Sequence, residues 1–131
     1  ALAVQHGVAE RVRFLGWRSD VVNLFAMADM VLMPSRYETF PFVMLEALGQ
    51  GVPLISSHIA GPDEILRHGE NGWLVPIEDV GALASALRTL RDDPALRKKL
   101  GAAGRQTIRD PYNEETSMQH LIAFYQRMVA A

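Results

Sequence analysis

Short apolar runs alternate with amphipathic stretches along the chain as far as Asp79. Each run is apolar at consecutive positions, which is typical of strands that are buried on both faces of a parallel sheet. Strands that alternate with helices indicate an α/β fold with a doubly wound parallel sheet. The pattern predicts four strands, at Val12 to Leu15, Met30 to Met33, Pro53 to Ser56 and Trp73 to Val75.

Helices are predicted in the intervals between these strands. The first follows the capping residues Ser19 and Asp20, and the second contains the apolar run from Phe42 to Leu48. The third begins near Pro62, a residue suited to a first turn, and ends at Gly69, which tolerates a left-handed backbone. We expect the first helix to bury one apolar stripe, formed by Val21, Leu24, Phe25 and Ala28.

The chain is predicted to become helical after residue 78. Asp79 caps one helix, and Asp93 with Pro94 opens a second, which ends at the pair Asp110–Pro111. A last helix begins near residue 113, and its apolar stripe is expected to pack against another surface: Met118, Leu121, Ile122, Tyr125 and Val129. We therefore expect one domain over residues 1–131, with strand and helix units in about 1–78 and a helical tail in 79–131.

Composition narrows the classes of function. The 131 residues are 49% hydrophobic and 21% charged, with a formal net charge of -2, as in ordinary globular domains. This charge argues against nucleic-acid binding. The chain has no cysteine, which excludes disulfides and thiolate metal sites and is compatible with a reducing cytoplasm. No apolar run approaches the ~20 residues of a membrane span, so we expect a cytoplasmic protein, with peripheral contact to the inner membrane face left open.

Two glutamates flank the start of the second predicted helix. The run from Phe42 to Leu48 is apolar on every face, which predicts a helix covered on all sides. An unpaired charge there costs several kcal/mol, so Glu46 is expected to need a partner. Its two oxygens suit a vicinal diol such as that of a ribose. Glu38 lies just before the helix, where Pro41 leaves free amides for a phosphate at the carboxyl end of a strand.

Four sequence blocks carry a resemblance to a known family. These blocks are "SRYETFPFVMLEALGQGVPLISS", "GPDEIL", "GENGWLVP" and "LRDDPALRKKLGAAGRQ". They resemble the C-terminal half of retaining glycosyltransferases of the GT-B fold, the glycosyl transferases group 1 of the family 4 type. The family's two glutamates, separated by seven residues, are matched by Glu38 and Glu46. The resemblance implies a Rossmann-like domain that binds a nucleotide-diphosphate sugar, whose sugar is transferred with retained configuration in polysaccharide biosynthesis.

The resemblance also implies roles for individual residues. Glu38 contacts the donor sugar as the catalytic residue, and Glu46 holds the ribose. The loop of Gly16, Trp17 and Arg18 forms a wall of the nucleobase pocket, although packing explains Trp17 equally well. No cofactor or metal is implied, because the nucleotide sugar is a substrate. The remaining expected donor contacts, to sugar or phosphate oxygens, come from Ser35, Thr39, Phe40, Pro41, Phe42 and Val43.

One departure from the family pattern concerns positive charge. Between Ser19 and Leu66 the only Lys or Arg is Arg36, whereas the family neutralises the diphosphate with an Arg and a Lys from a segment that would precede Ala1. Two family strands and the N-terminal domain, which binds the glycan or lipid-linked acceptor, would also precede Ala1. We therefore expect a fragment that does not transfer sugar by itself, and whose first strand lacks its usual neighbours.

Other interpretations remain beside this one. A nucleotide-sugar 2-epimerase of GT-B architecture would use similar ribose contacts, and a nucleotide-binding or scaffold module would catalyse nothing. Ser35 suits a turn as well as a ligand contact. His58 has no partner in the pattern and is interpreted as incidental, whereas Glu64 is assigned a structural role in the first turn of its helix. The basic run from Arg97 to Lys99 is a solvated face or a contact for anionic lipid headgroups.

Overall fold

The computed structural model describes residues 2–109, Tyr112 and residues 114–129. Its centre is a parallel sheet of three strands, β1 (Val31–Met33), β2 (Leu54–Ser57) and β3 (Trp73–Val75), in the order β1-β2-β3. The register pairs Val31 with Leu54 and Ile55 with Trp73. These three strands confirm the predicted ones to within one residue at each end. The α/β class with a parallel sheet is therefore confirmed.

Seven α-helices and one 3₁₀ turn are found in the described residues. The predicted caps of the helices after β3 are confirmed, because the carboxylates of Asp79 and Asp93 accept hydrogen bonds from the N–H groups of Ala82 and Leu96, both at 2.8 Å. The helices are α1 (Leu2–Gln5), α2 (Val21–Met27), α3 (Phe42–Gly49), α4 (Ala60–Ile65), α5 (Val80–Asp92), α6 (Pro94–Arg109) and α7 (Glu114–Val129), and the 3₁₀ turn is Ala9–Arg11.

Apolar side chains cover the sheet on two sides. Consecutive residues of a strand point to opposite faces, and Leu54 and Ile55 of β2 accordingly lie in two different clusters. The cluster around Leu54 joins β1 to α3 and α4 through Met33, Met44, Leu48, Ile65 and Leu66. The cluster around Ile55 joins β3 to α5 and α6 through Val75, Ala86, Leu90 and Leu100. This two-sided burial is what the apolar runs predicted.

The predicted strand from Val12 to Leu15 is not formed. These residues have no regular structure and are exposed, with Phe14 90% accessible. A strand requires a neighbour that takes its backbone hydrogen bonds, and β1, at one edge of the sheet, pairs only with β2. Because no described segment pairs with residues 12–15, their apolar pattern has no sheet to join.

The helix α3 is covered on one face only. Met44, Ala47 and Leu48 are buried, whereas Phe42 is 74% exposed and Glu46 also faces solvent. The prediction of a helix covered on every side is therefore wrong, because the second apolar face has no described element packed over it. Glu46 consequently does not require a partner in order to offset the cost of burial.

The C-terminal end of α3 is closed by a Schellman motif. Gly51 has a φ of 72°, and its N–H donates to the carbonyl of Leu48 at 2.9 Å. The N–H of Val52 donates to the carbonyl of Ala47 at 3.1 Å, and these two apolar side chains share a buried cluster. The motif satisfies carbonyls that the end of a helix leaves open. It also turns the chain directly into β2.

The helix α4 is shorter than predicted. It begins at Ala60 and ends at Ile65, so Gly69 with its φ of 75° lies in the turn that follows. The buried side chain of Asn71 terminates the helix, because its Nδ2 donates to the carbonyl of Ile65 at 3.0 Å. A local pattern cannot show that a residue six positions away takes this carbonyl. Glu64 is therefore the fifth residue of α4 and not in its first turn.

Two predicted apolar stripes are poorly covered. In α2 only Phe25 is buried, and the other three residues of its stripe are half-buried. The five residues of the α7 stripe are between 48% and 88% exposed, so the described residues do not provide the surface on which we expected it to pack. The predicted break at Asp110–Pro111 and the predicted start near Asn113 lie outside the described residues.

Candidate functional site

The loop between β1 and α3 holds most of the predicted site residues. It begins at Pro34, at the carboxyl end of β1, and ends at Pro41, the residue before α3. Within it, the hydroxyl of Ser35 donates to Oε1 of Glu38 at 2.9 Å, and both residues are half-buried. This bond within the loop is compatible with Ser35 as a turn residue, and its contact with a ligand oxygen stays a prediction. The serine holds one carboxylate oxygen of Glu38 in a fixed direction.

Gly61 of α4 packs directly against the backbone of this loop. Its N–H donates to the carbonyl of Glu38 at 3.3 Å, and a Cβ at this position would lie 2.3 Å from the carbonyl oxygen of Thr39. Only a glycine allows the two backbones to approach so closely. Gly61 was not among the predicted site residues, although its position beside Pro62 in "AGPDEI" could have indicated a close backbone contact.

Replacing Gly61 by alanine is expected to displace the backbone at Glu38 and Thr39. The overlap involves backbone atoms, so we expect the free energy of unfolding to fall by about 1–3 kcal/mol. We also expect the affinity for nucleotide diphosphates to fall, because the loop and the start of α3 move together. Thermal denaturation and titration calorimetry measure the two effects.

Gly69→Ala is the matched control for this variant. Gly69 has positive φ, and no heavy atom lies within 4 Å of the position that a Cβ would take, so alanine adds backbone strain of about 1–2 kcal/mol without touching the loop. The control should lose stability and keep its nucleotide affinity. Unchanged affinity in Gly61→Ala as well would contradict the role assigned to Gly61.

The N-terminus of α3 presents free amides beside Glu38. The first intrahelical bond runs from the N–H of Met44 to the carbonyl of Pro41 at 3.0 Å. The N–H groups of Phe42 and Val43 precede it and have no acceptor in the helix. Pro41 occupies the N-cap position, one residue before the predicted first turn. These amides and the partial positive charge of the helix end suit a phosphate or a sugar oxygen.

Glu46 lies on the open face of α3. It is the fifth residue of the helix, so it shares a face with Phe42 and Val43, four and three residues earlier. Its carboxylate makes no hydrogen bond or ion pair with a described residue. It stands about 6 Å along the helix axis from Phe42. Glu38 thus lies just before α3, and Glu46 lies further along the same helix. Neither carboxylate forms an ion pair with a basic side chain of the described residues.

Phe40 anchors the end of the loop. Its ring lies 6.4 Å from that of Phe42 in an edge-to-face arrangement and 5.9 Å from that of Tyr112. Such ring pairs contribute about 0.5–1.5 kcal/mol beyond the area that they bury. Thr39, between Glu38 and Phe40, is exposed. Phe40 therefore fixes the loop while its neighbour stays accessible.

The three residues of the predicted nucleobase loop are exposed. Trp17 is 89% accessible, so the alternative that it packs as a half-buried side chain is wrong. Arg18 is held by Asp20, with Nε 2.6 Å from Oδ1, and this hydrogen bond keeps the pKa of Asp20 below its usual value. Gly16 has a φ of 64°, which allows the sharp turn before Trp17. A contact of this loop with a base stays a prediction.

His58 has a partner that the sequence did not reveal. Its Nδ1 lies 2.5 Å from Oδ2 of Asp63, and its backbone N–H donates to the carbonyl of Val75 at 2.8 Å. The interpretation of His58 as a histidine without a partner is therefore wrong. The first turn of α4 brings Asp63 back over the end of β2, and the five-residue spacing was the only signal for this pair.

A cavity of about 300 Å³ lies at the carboxyl ends of the strands, on the side of α5. Arg36 lines it and forms an ion pair with Glu78, with 2.7 Å between Nε and Oε1. Neither Glu38 nor Glu46 lines this cavity. Arg36, the single Lys or Arg between Ser19 and Leu66, thus already forms an ion pair with a carboxylate. The backbone N–H groups at the start of α3 are therefore the nearby donors for an anion.

Two further properties concern metals and membranes. Among the described residues, no three His, Asp or Glu side chains are grouped so that they could hold a metal ion. None of the described helices is both long and apolar enough to cross a bilayer.

Sequence comparison identifies related proteins along most of the chain. The sequence model of the family described as Glycosyl transferases group 1 matches residues 1–107. A lipopolysaccharide core biosynthesis glycosyltransferase, LpsD of Rhizobium meliloti, is 35% identical over 95% of this chain and 36% of its own length. The N-acetyl-alpha-D-glucosaminyl L-malate synthase of Bacillus anthracis is 31% identical over 90% of this chain and 31% of its own length. The chain thus spans about a third of the length of these curated relatives.

Solved structures share the fold. Sucrose-phosphate synthase from Thermosynechococcus elongatus superposes with a TM-score of 0.91 at 31% identity, over 99% of this chain and 33% of the synthase chain. Anabaena HepE, solved in complex with UDP, superposes with a TM-score of 0.92 at 26% identity, over 95% of this chain and 35% of its own. HepE has also been solved in complex with UDP-glucose. The parallel sheet and its helices therefore have the arrangement found in these proteins.

Proposed function

Since this chain belongs to the glycosyl transferases group 1 family, we propose that it is the donor-binding part of a retaining glycosyltransferase. The enzyme transfers a hexosyl group from a nucleotide-diphosphate sugar to an acceptor, which is a glycan, a lipid or a small molecule. The observation that carries this proposal is the placement of Glu38 and the free amides at the start of α3 and of Glu46 on the open face of the same helix. We place the enzyme in the cytoplasm, with its acceptor bound by another domain.

Each site residue has a role in this proposal. Glu38, oriented by Ser35, accepts hydrogen bonds from donor-sugar hydroxyls near the reacting carbon. The N–H groups of Phe40, Phe42 and Val43 hold sugar and phosphate oxygens, together with the exposed hydroxyl of Thr39. Glu46 is exposed and has no protein partner among the described residues, and its carboxylate accepts hydrogen bonds from both hydroxyls of the ribose. Gly16, Trp17 and Arg18 border the base.

The chemistry needs no protein nucleophile. The acceptor hydroxyl attacks the anomeric carbon on the face that the diphosphate leaves, the bond from that carbon to the diphosphate oxygen breaks, and the hydroxyl proton passes to the departing phosphate. Configuration is retained because attack and departure share one face. The protein contributes by positioning the two substrates and by stabilising the charge that develops on the diphosphate.

The charge balance limits what these 131 residues do alone. Two carboxylates flank the phosphate position, and Arg36 is paired with Glu78. Helix amides supply only about half a positive charge, so further cations are needed to hold a diphosphate. We therefore expect the 131-residue chain by itself to be inactive in transfer, with the missing charge and the acceptor site supplied by other parts of the enzyme.

A thermal-shift panel of nucleoside diphosphates, with and without an attached sugar, tests this proposal on the intact protein. One nucleotide should raise the melting temperature, since a ligand at 100 times its Kd adds about 2.7 kcal/mol to the free energy of unfolding. In Glu46→Ala we expect nucleotide affinity to fall about tenfold or more, because a charge-assisted pair of hydrogen bonds is lost. Glu64→Ala, an exposed glutamate on α4, is the matched control and should bind normally.

The alternative functions give different results in the same preparation. A scaffold module would show no shift with any nucleotide. A 2-epimerase would invert a sugar carbon of the donor without any acceptor, which nuclear magnetic resonance of the sugar detects. A glycosyltransferase should hydrolyse the donor slowly and release a sugar of unchanged anomeric configuration. Either of the first two results would refute the proposed transfer.

A further inference from the structure

A second cavity, of about 660 Å³, lies at the opposite end of α3 from Glu38. It is open to solvent, and α6 and the turn after α3 form its walls. The charged residues that line it in the described part of the chain are cationic, namely Lys98, Arg105 and Arg109, and Gln50 and Gln106 add two amide side chains. The length of α3 places it about 12 Å from the start of that helix. It is therefore separate from the proposed donor site.

The geometry of α6 brings the three cations to one side. They occupy positions seven and four residues apart, which share one face of a helix. Gly101 and Gly104 lie between them and let the α6 backbone approach α3, since a Cβ at Gly101 would lie 2.0 Å from the carbonyl oxygen of Gly51. This close approach places the cationic side chains around the turn that follows α3.

The stability of the fold does not account for this cluster. Cations often compensate open carbonyls at the end of a helix, but the carbonyls of Ala47 and Leu48 already accept backbone hydrogen bonds in the Schellman motif. Lys98 and Arg105 make no ion pair with a described residue.

The chemistry of the lining specifies an anion with several oxygens. Arginine presents a planar fork of donors that matches a phosphate, lysine adds a point charge, and glutamine amides donate to further oxygens. Among the described residues, no carboxylate lines the cavity to compete for these groups. The volume lies within the range of about 300–1,000 Å³ found for ligand sites. A phosphate group with a substituent attached fits both the charge and the space.

We propose that this α3–α6 cavity binds a phosphate-bearing ligand at a site distinct from that of the donor nucleotide. The shared chemistry is a phosphate monoester or diester, which a free phosphorylated metabolite and an anionic lipid headgroup both present. Lys98 and Arg105 make the ionic contacts, and Gln50 and Gln106 donate hydrogen bonds to the remaining oxygens. The site faces away from the carboxyl ends of the strands.

The test uses the intact protein saturated with the nucleoside diphosphate that stabilises it most, so that the donor site is filled. Pyrophosphate is titrated by calorimetry, and co-sedimentation is measured with phosphatidylcholine vesicles that contain or lack phosphatidylglycerol. In the double variant Lys98→Gln/Arg105→Gln we expect whichever of these interactions occurs to weaken about tenfold or more, which corresponds to about 1.4 kcal/mol. Nucleotide binding should not change.

The control double variant Arg88→Gln/Arg127→Gln removes the same charge from exposed positions outside the cavity and should bind like the unmodified protein. Arg105→Lys, which keeps the charge, should retain part of the affinity and so exclude misfolding as the cause. Pyrophosphate binding alone identifies a soluble ligand, and vesicle binding alone identifies a headgroup. Absence of both interactions, or equal weakening in the two double variants, overturns the proposal.

Discussion

Replacing Glu38 by glutamine is expected to lower the kcat of sugar transfer by about 100- to 1,000-fold, the effect of removing one preorganised electrostatic contact to a transition state. Ser35 donates to one oxygen of this carboxylate at 2.9 Å, and the second oxygen is the one that we propose accepts from the donor sugar. Glutamine keeps the shape of the side chain and removes its charge. Because the nucleotide is held by other groups, we expect its Kd to change by less than about threefold, or 0.7 kcal/mol.

Steady-state kinetics and calorimetry on the intact protein separate these two effects. Glu46→Gln is the matched comparison, since it makes the same chemical change on the same helix end. Glu46→Gln should weaken nucleotide binding and should lower kcat less than Glu38→Gln does. Ser35→Ala should lower kcat by an intermediate factor, because Glu38 keeps its charge and loses its orientation. Equal and small effects in the two glutamate variants would argue against both assigned roles.

Replacing Gly101 by alanine is expected to cause the largest loss of stability of any single methyl addition considered for this protein. The new Cβ would lie 2.0 Å from the carbonyl oxygen and 2.9 Å from the carbonyl carbon of Gly51. These are backbone atoms inside the Schellman turn, so they cannot rotate away as a side chain would. We expect the free energy of unfolding to fall by about 3 kcal/mol or more, as for severe overpacking. The melting temperature should fall by about 10 °C.

Gly49→Ala is the control for the same chemical change. Gly49 is helical, and an added Cβ would meet only Cδ1 of Ile108 at 3.5 Å, an ordinary contact. Alanine should therefore raise the free energy of unfolding by about 0.5–1 kcal/mol through its better helix propensity. Urea denaturation of both variants shows whether the free energy of unfolding falls in Gly101→Ala and rises in Gly49→Ala. A Gly101→Ala variant as stable as the unmodified protein would show that α3 and α6 do not pack as closely as described.

The elements that the sequence predicted well are those whose signals are local. The caps at Asp79 and Asp93 depend on a side chain and an amide three residues apart, so the pattern contains both partners. The strands β1, β2 and β3 are short apolar runs between helices, and each was predicted to within one residue at its ends. The family resemblance, which rests on blocks of contiguous residues, likewise needed no coordinates.

The predictions that failed depended on how one segment of the chain lies against another. The run from Val12 to Leu15 has a strand-like pattern, but pairing requires a neighbouring strand, and no described segment provides one. The helix α3 is apolar all round, yet only contacts with the sheet, α2 and α6 decide which face is covered. His58 was interpreted as isolated because the return of α4 over β2, which supplies Asp63, is not visible in the order of residues alone.

The sequence by itself determined the order of strands and helices and the caps, because these follow from periodicity and from neighbours within a few positions. The family resemblance singled out the two glutamates. Only the tertiary structure decided which surfaces are open. It placed Glu46 in solvent and showed that Gly61 and Gly101 are sites of backbone contact. Burial and close approach are properties of pairs of segments, and a local pattern describes only one member of each pair.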